Sequence, residues 1–289
     1  MQLLSITPEQ AALLPTEEDV VFYETHGWYI SPKIIPDEAI DLAIAGTERF
    51  YRGERDGKLP VDTGYSNWTP EEGDIIRNNE FVSWQNKELR ELALLPIIGA
   101  IAARLARTHE IRLLDDQLVY KPPRSGKNSV GWHSDRAYWG TCTSDKMLTA
   151  WIPFHDCDEA RGPLVVLDKS HLWGNLDDMR HFNDEDLGSW ENRFATEGKE
   201  VNKVAMTLQK GQLSFHHCWT IHGSYPNTSP HPRQALAVHL QDGDNRYRSY
   251  FSKQGKEVHI FDEHLCRTLP NGDPDFSDPN AFPVLWSSK

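Results

Sequence analysis

His133-Ser134-Asp135 sets an imidazole and a carboxylate two residues apart. On an extended segment side chains alternate, so both groups project to the same side. An imidazole nitrogen and a carboxylate oxygen converging in this way supply two thirds of a mixed-ligand metal site. The third ligand is expected far along the chain and close in space, and His222 is the candidate. Two histidines and one carboxylate on one face of an octahedral ion leave three positions open. That arrangement suits non-haem Fe(II), whose open positions accept a bidentate 2-oxo acid and then O2. His133-x-Asp135 alone is a weak signal, since the chain contains 13 histidines. It gains weight from the stretch that runs from His222-Gly223-Ser224 through Asn227 to Arg233.

The elements that must position these groups are legible in outline. Thr16 followed by Glu17, Glu18 and Asp19 opens a helix, with a capping hydroxyl and acidic residues at the positive end of the dipole. It should run to His26 and stop at Gly27, before a short strand at Trp28-Tyr29-Ile30. Pro36-Asp37 opens a second helix. Leu89, Leu92, Leu95, Ile98, Ile101 and Leu105 recur at helical spacing, with a break at Pro96. After residue 110 the texture changes to short extended runs at 111–121, 130–135, 147–154, 163–167, 203–208, 212–216 and 233–241. Turn residues such as Pro122-Pro123, Lys210-Gly211 and Pro226-Asn227 separate them. Many short strands in series indicate an antiparallel sandwich or barrel. One domain over 1–289 is expected, with a helical part at 16–107, a strand-rich core at 111–245 and an irregular, proline-rich tail at 260–289. The Gly- and Asp-rich stretch 53–73 and the polar insert 171–200 are candidate lids.

With these residues in view, the sequence resembles the phytanoyl-CoA dioxygenase family of Fe(II)- and 2-oxoglutarate-dependent oxygenases over roughly residues 16–245. The resemblance rests on Tyr120-Lys121-Pro122-Pro123, Trp132-His133-Ser134-Asp135, Gly162-Pro163-Leu164 with Ser170-His171, and His222-Gly223-Ser224 with Asn227 and Arg233. It implies a mainly β fold with flanking helices, a cupin-like double-stranded β-helix (jelly roll) with the metal between two sheets. His133, Asp135 and His222 then match the iron ligands. Arg233 and Ser224 match the groups that hold the distal carboxylate of 2-oxoglutarate, a role in which a planar guanidinium offers a bidentate, charge-assisted grip. Gln117 and Thr149, on strands flanking the first ligands, are candidates to touch 2-oxoglutarate or the substrate. Trp132, Tyr138, Trp139 and Trp219 are candidate substrate walls, with Trp151 a further nearby aromatic. His216, His217 and His239 are assigned supporting or structural roles. The implied cofactor set is Fe(II), 2-oxoglutarate and O2. Because Asp135 is present, hydroxylation is favoured over halogenation.

Bulk properties narrow the alternatives. The 289 residues are 38% hydrophobic and 25% charged, with a net charge of −13 and no basic block, so nucleic acid and anionic membranes are poor partners and a small molecule is the expected one. Residues 1–5 lack the pattern of a secretory leader. Cys142, Cys157, Cys218 and Cys266 are scattered, which suggests free thiols in a reducing cytoplasm. Two other readings of the same residues are a zinc-dependent jelly-roll hydrolase or isomerase and a non-catalytic small-molecule binding protein on the same scaffold. The zinc reading has no use for Arg233 and Ser224 at this spacing, and the intact ligand set counts against the binding protein. The substrate and the oligomeric state stay open.

Overall fold

The computed structural model describes residues 6–62, 68–124 and 128–288. Its helices are α1 (Pro8–Ala11), α2 (Glu17–His26), α3 (Asp37–Tyr51), α4 (Lys87–Ala93), α5 (Pro96–Leu105), α6 (Asp135–Tyr138) and α7 (Leu187–Thr196). Its strands are β1 (Trp28–Ile30), β2 (Arg77–Glu80), β3 (Glu110–Lys121), β4 (Val130–His133), β5 (Leu148–Pro153), β6 (Val165–Leu167) and β7 (Lys203–Ala205). Later strands are β8 (Ser214–His217), β9 (His222–Ser224), β10 (Arg233–Asp242), β11 (Tyr250–Phe251), β12 (Glu257–Val258) and β13 (Val284–Ser287).

Local chemistry explains the helix ends. The Thr16 hydroxyl accepts from the Asp19 amide while the Asp19 carboxylate accepts from the Thr16 amide, a reciprocal cap at the start of α2. Gly27 ends the helix in the left-handed conformation at φ 80°, where a side chain would be strained. Pro96 takes the first turn of α5, so the apolar run from 87 to 105 becomes two helices instead of one kinked rod.

Two antiparallel sheets form the jelly roll. The larger runs β1-β8-β5-β10-β3-β13, with β2 also on β3; the smaller runs β4-β9-β6-β7. Period-two alternation gives the large sheet two different faces. Leu148, Ala150 and Ile152 on β5 and Leu236, Val238 and Leu240 on β10 face the main apolar core, together with Ile97, Ile98 and Ile101 of α5. Each buried Leu or Ile contributes about 1.5–3 kcal/mol over its exposed state, and that burial fixes which parity of each strand faces the helices. The opposite parity faces the small sheet and carries the polar residues.

The outline from sequence differs from the structure in three places. The β4 strand ends at His133, and after extended Ser134 (φ −118°, ψ 140°) Asp135 opens the short helix α6. The tail is not wholly irregular, because β13 adds to the edge of β3 with Leu285 fully buried against α5. The extended run at 203–208 is a strand only to Ala205. The insert after β6 is partly helical, as expected, through α7. Of the 53–73 stretch, residues 63–67 lie outside the described residues, as do 1–5 and Lys289.

Candidate active site

Cross-strand register places the polar side chains in rows on the inner face of the large sheet. One row reads His216 (β8), Thr149 (β5), His239 (β10) and Asp115 (β3). The next, two residues along each strand, reads Ser214, Trp151, Ala237, Gln117 and Glu80. Further along, Arg233 pairs with Lys121. From the small sheet, β4 and β9 bring His133 opposite His222. The strands approach closely there: a Cβ on Gly223 would lie 2.6 Å from the Val130 carbonyl oxygen, and one on Gly131 would overlap the His181 carbonyl. Gly223 lets the two ligand strands meet, and Gly131 makes room for the 181–184 segment of the insert.

One ligand atom from each of His133, Asp135 and His222 falls within a 4.8 Å group, and all three residues are buried. The hydrogen bonds around them settle which atoms are free. Nδ1 of His133 lies 2.8 Å from the Gly131 carbonyl, and Nδ1 of His222 lies 3.0 Å from the Thr220 carbonyl. A carbonyl only accepts, so both Nδ1 atoms carry the proton and both Nε2 atoms present a lone pair. The two Nε2 atoms sit 4.0 and 3.4 Å from Asp135 Oδ1. Asp135 Oδ2 is already served, accepting from the Thr149 hydroxyl at 2.6 Å and from His216 Nε2 at 3.1 Å. Three acceptor atoms therefore converge with no donor among them, a repulsive arrangement that a metal cation converts into ligation.

Electrostatics favour the same state. Burial, reinforced by His222, pushes the His133 imidazole down to about 3, and burial with His216 pushes His222 down to about 4. Both stay neutral with lone pairs available at neutral pH. Burial alone would raise the Asp135 carboxyl, but attraction to His222, His239 and His216 outweighs it and holds the group well below the usual carboxylate range. Thr149 Oγ1 accepts from His239 Nδ1 at 2.8 Å while donating to Asp135, so the row fixes the carboxylate from behind.

Beside the triad a small chamber is lined by Trp151, Leu164, Ser224, Arg233, Thr149 and His222, among others. Arg233 is 2% exposed, its Nε has no hydrogen-bond partner, and its NH2 group donates to the Ser224 hydroxyl at 3.4 Å. No carboxylate among the described residues pairs with it. Burial pushes the guanidinium down to about 10. Lys121, also buried, donates to the Ser224 and Tyr225 carbonyls at 3.2 and 2.7 Å. A buried guanidinium without a counter-ion is costly unless an anion joins it, and the chamber is the place for one.

On the other side of the triad a larger cavity of roughly 690 Å³ opens toward solvent. His133, Asp135, Gln117, Phe182 and His239 border both spaces. Tyr138 and Trp139 line the large cavity, as do Leu59 and Val61 from the 53–73 stretch and Arg180 and Phe182 from the 171–200 insert. Gln117 points inward and donates to Glu80 at 3.1 Å.

Other expected roles move. The Thr149 hydroxyl is engaged with Asp135 and His239, while the residue also lines the small chamber. Trp132 is fully buried against Tyr225 and lines neither space. Trp219 donates to Asp145 at 3.0 Å and stacks near Arg136, again away from both. Trp151 lies in the small chamber with its ring 5.8 Å from the Arg233 guanidinium. Asp115, Glu80, Asp262, Phe81 and Arg180 line the large cavity but do not stand out in the sequence. Asp115 was within reach of strand parity, since it lies two residues before Gln117 on β3.

Comparison with known proteins bears on the family and the fold. The family model described as Phytanoyl-CoA dioxygenase (PhyH) matches residues 23–235. The peroxisomal phytanoyl-CoA dioxygenase of Homo sapiens is 28% identical over 250 residues, covering 80% of this chain and 70% of that one. An ectoine dioxygenase of Bordetella parapertussis is 24% identical over 241 residues, covering 75% and 72%. Among solved structures, the non-heme alpha ketoglutarate dependent carbocyclase SnoK from nogalamycin biosynthesis superposes with a TM-score of 0.69 at 26% identity, covering 93% of this chain and 96% of that one.

Proposed function

Because the chain belongs to the phytanoyl-CoA dioxygenase family and is an Fe(II)- and 2-oxoglutarate-dependent dioxygenase, we propose that it hydroxylates an unactivated C–H bond of a small-molecule metabolite in the 690 Å³ cavity. The observation that carries this reading is the pairing of the acceptor triad with the uncompensated guanidinium of Arg233 across a shared wall. Fe(II) fits the donor set of His133 Nε2, His222 Nε2 and Asp135 Oδ1. When bound with 2-oxoglutarate and O2, it supplies oxidative C–H chemistry with release of succinate and CO2.

The chain's own residues do the rest. Arg233 and the Ser224 hydroxyl hold the far carboxylate of 2-oxoglutarate, an anion whose charge offsets the buried cation. The hydrogen bonds from Thr149 and His216 fix Asp135 so that one oxygen faces the metal. Trp139, Tyr138 and Phe182 give the substrate side apolar walls that orient the reacting carbon and limit water at the centre. A zinc hydrolase would leave Arg233 without a role. No described helix is long and apolar enough to cross a membrane, and the buried free thiols Cys142, Cys157 and Cys218 support a reducing compartment such as the cytoplasm. The test is succinate release with Fe(II), 2-oxoglutarate and a broad panel of small metabolites. Stimulation by at least one metabolite, with a hydroxylated product, is expected; zinc-dependent hydrolysis without 2-oxoglutarate consumption would defeat the reading.

A further inference from the structure

The large cavity has a polarity that oxidative chemistry alone does not require. Asp62, Glu80, Asp115 and Asp262 line it, and against these acids its only Arg or Lys among the described residues is Arg180. Arg180 is engaged, donating through Nε to the Ala137 carbonyl at 2.6 Å and lying 5.8 Å from the Tyr138 ring. His259, also in the lining, is bonded to Glu263 at 2.8 Å. Glu80 takes the hydrogen bond from Gln117. Three acceptors of the lining lack a hydrogen bond. Asp262 is 3% exposed and its Oδ1 has no hydrogen-bond partner; Asn79 is 7% exposed and its Oδ1 likewise has none. Asp115 Oδ1 has no hydrogen bond either, and the His239 imidazole, which burial keeps neutral, brings its Nε2 to 3.5 Å.

Buried acceptors without donors are costly, and carboxylates close enough to repel one another are more so. Burial, with repulsion from Asp262 and Glu80, raises the Asp115 carboxyl well above its ordinary range, and burial raises Asp262 to about 7. A ligand that brings N–H donors and positive charge removes both costs together. A neutral polyol would satisfy the acceptors but leave the repulsion, and an anion would worsen it. Aromatic rings of Phe81, Trp139 and Phe261, with aliphatic Leu59, Val61 and Ile260, face the same space, so the rest of the ligand is apolar or ring-bearing. A volume of roughly 690 Å³ lies within the range of about 300–1,000 Å³ found for pockets that hold drug-sized molecules.

Building on the oxygenase reading, we propose that the substrate is a ring-bearing protonated amine whose ammonium group is held by Asp115 and Asp262 while its body packs against the aromatic wall. The charge that orients it lies on the large sheet and the 261–264 turn, apart from the metal ligands.

The test uses the full chain loaded with Fe(II) and 2-oxoglutarate under argon. Three probes share one skeleton: tyramine, its neutral alcohol tyrosol, and the anionic 3-(4-hydroxyphenyl)propionate. Binding is read by calorimetry and by perturbation of the visible charge-transfer absorption of the Fe(II)–2-oxo acid chelate. Tyramine should bind about tenfold or more tighter than the other two, the ratio expected for one recovered charge-assisted contact. Asp115→Asn and Asp262→Asn should each reduce that preference to below about threefold, as loss of one such contact requires. Equal binding of tyramine and tyrosol, no tyramine binding, or an unchanged preference in both variants would overturn the amine proposal. Absence of the charge-transfer absorption in the wild-type protein would instead overturn the oxygenase reading beneath it. The wild-type probe comparison remains decisive if either variant fails to fold.

Discussion

Replacing Arg233 by methionine separates two energies that meet in the small chamber. In the free protein the guanidinium is 2% exposed, has no carboxylate partner among the described residues and is pushed down to about 10 by burial. A shift of that size corresponds to roughly 3 kcal/mol against keeping the charged form buried. Methionine keeps much of the length and apolar volume without the charge. In the absence of 2-oxoglutarate, Arg233→Met should therefore be at least as stable as wild type and should melt up to several degrees higher. Binding of 2-oxoglutarate should move the opposite way. Truncating one partner of a buried charge pair costs about 2–5 kcal/mol; taking about 3 kcal/mol, the dissociation constant should rise roughly 150-fold. The assay is an anaerobic titration of 2-oxoglutarate into the Fe(II) protein, followed by chelate absorption, beside thermal unfolding with and without the co-substrate. A ligand at about 100 times its dissociation constant adds about 2.7 kcal/mol of stability, and Arg233→Met should lose most of that gain at the same concentration. An affinity within about threefold of wild type, or a clear loss of stability in the ligand-free variant, would show that Arg233 is a structural cation and refute the argument.

Alanine at His133, Asp135 or His222 should abolish Fe(II) binding and substrate-dependent succinate formation; full activity in any one of them removes that residue from the triad. Thr149→Val leaves Asp135 Oδ2 and His239 Nδ1 each short of a partner, and should weaken Fe(II) affinity by about 10–100-fold in a chelator competition, with Thr149→Ser restoring it. Asp262 gives a pH signature. Its carboxyl is raised to about 7 in the folded protein, against an unfolded value near 3.8, so its burial costs nothing below the unfolded value and the cost grows as pH rises through the folded one. Asp262→Asn should accordingly stabilise the ligand-free protein more at pH 8 than at pH 5, by about 2–3 kcal/mol in denaturant unfolding. An equal effect at both pH values would mean that Asp262 is ionised throughout.

Much of the site was legible because strands and caps are local. Strand alternation put Gln117 and Thr149 on the inner face, and capping chemistry at Thr16 and Gly27 marked the helix that precedes β1. The resemblance carried by His222-Gly223-Ser224 and Arg233 pointed to His133, Asp135 and His222 as a metal triad, which the structure brings together, and to the co-substrate grip that we propose for Arg233 and Ser224. The errors came where a neighbour absent from the local sequence decides the outcome. Trp132 and Trp219 sit beside metal motifs in the chain, yet one packs against Tyr225 and the other donates to Asp145. Proximity along a strand says nothing about which side of the sheet an aromatic ring will fill. Leu285 buries itself against α5 only because β13 reaches the free edge of β3.

By itself, then, the sequence determined the alternation of faces and most helix boundaries through residue type and spacing, while its family resemblance implied the jelly-roll class and the candidate metal-binding and carboxylate-binding groups. The tertiary structure decided which oxygen of Asp135 is free, that the Thr149 hydroxyl serves that carboxylate, and that Asp115, Glu80 and Asp262, from β3, β2 and the turn at 261–264, crowd one cavity. These are properties of groups far apart in the chain. Their hydrogen bonds and mutual repulsion exist only once folding has placed them in the same low-dielectric space.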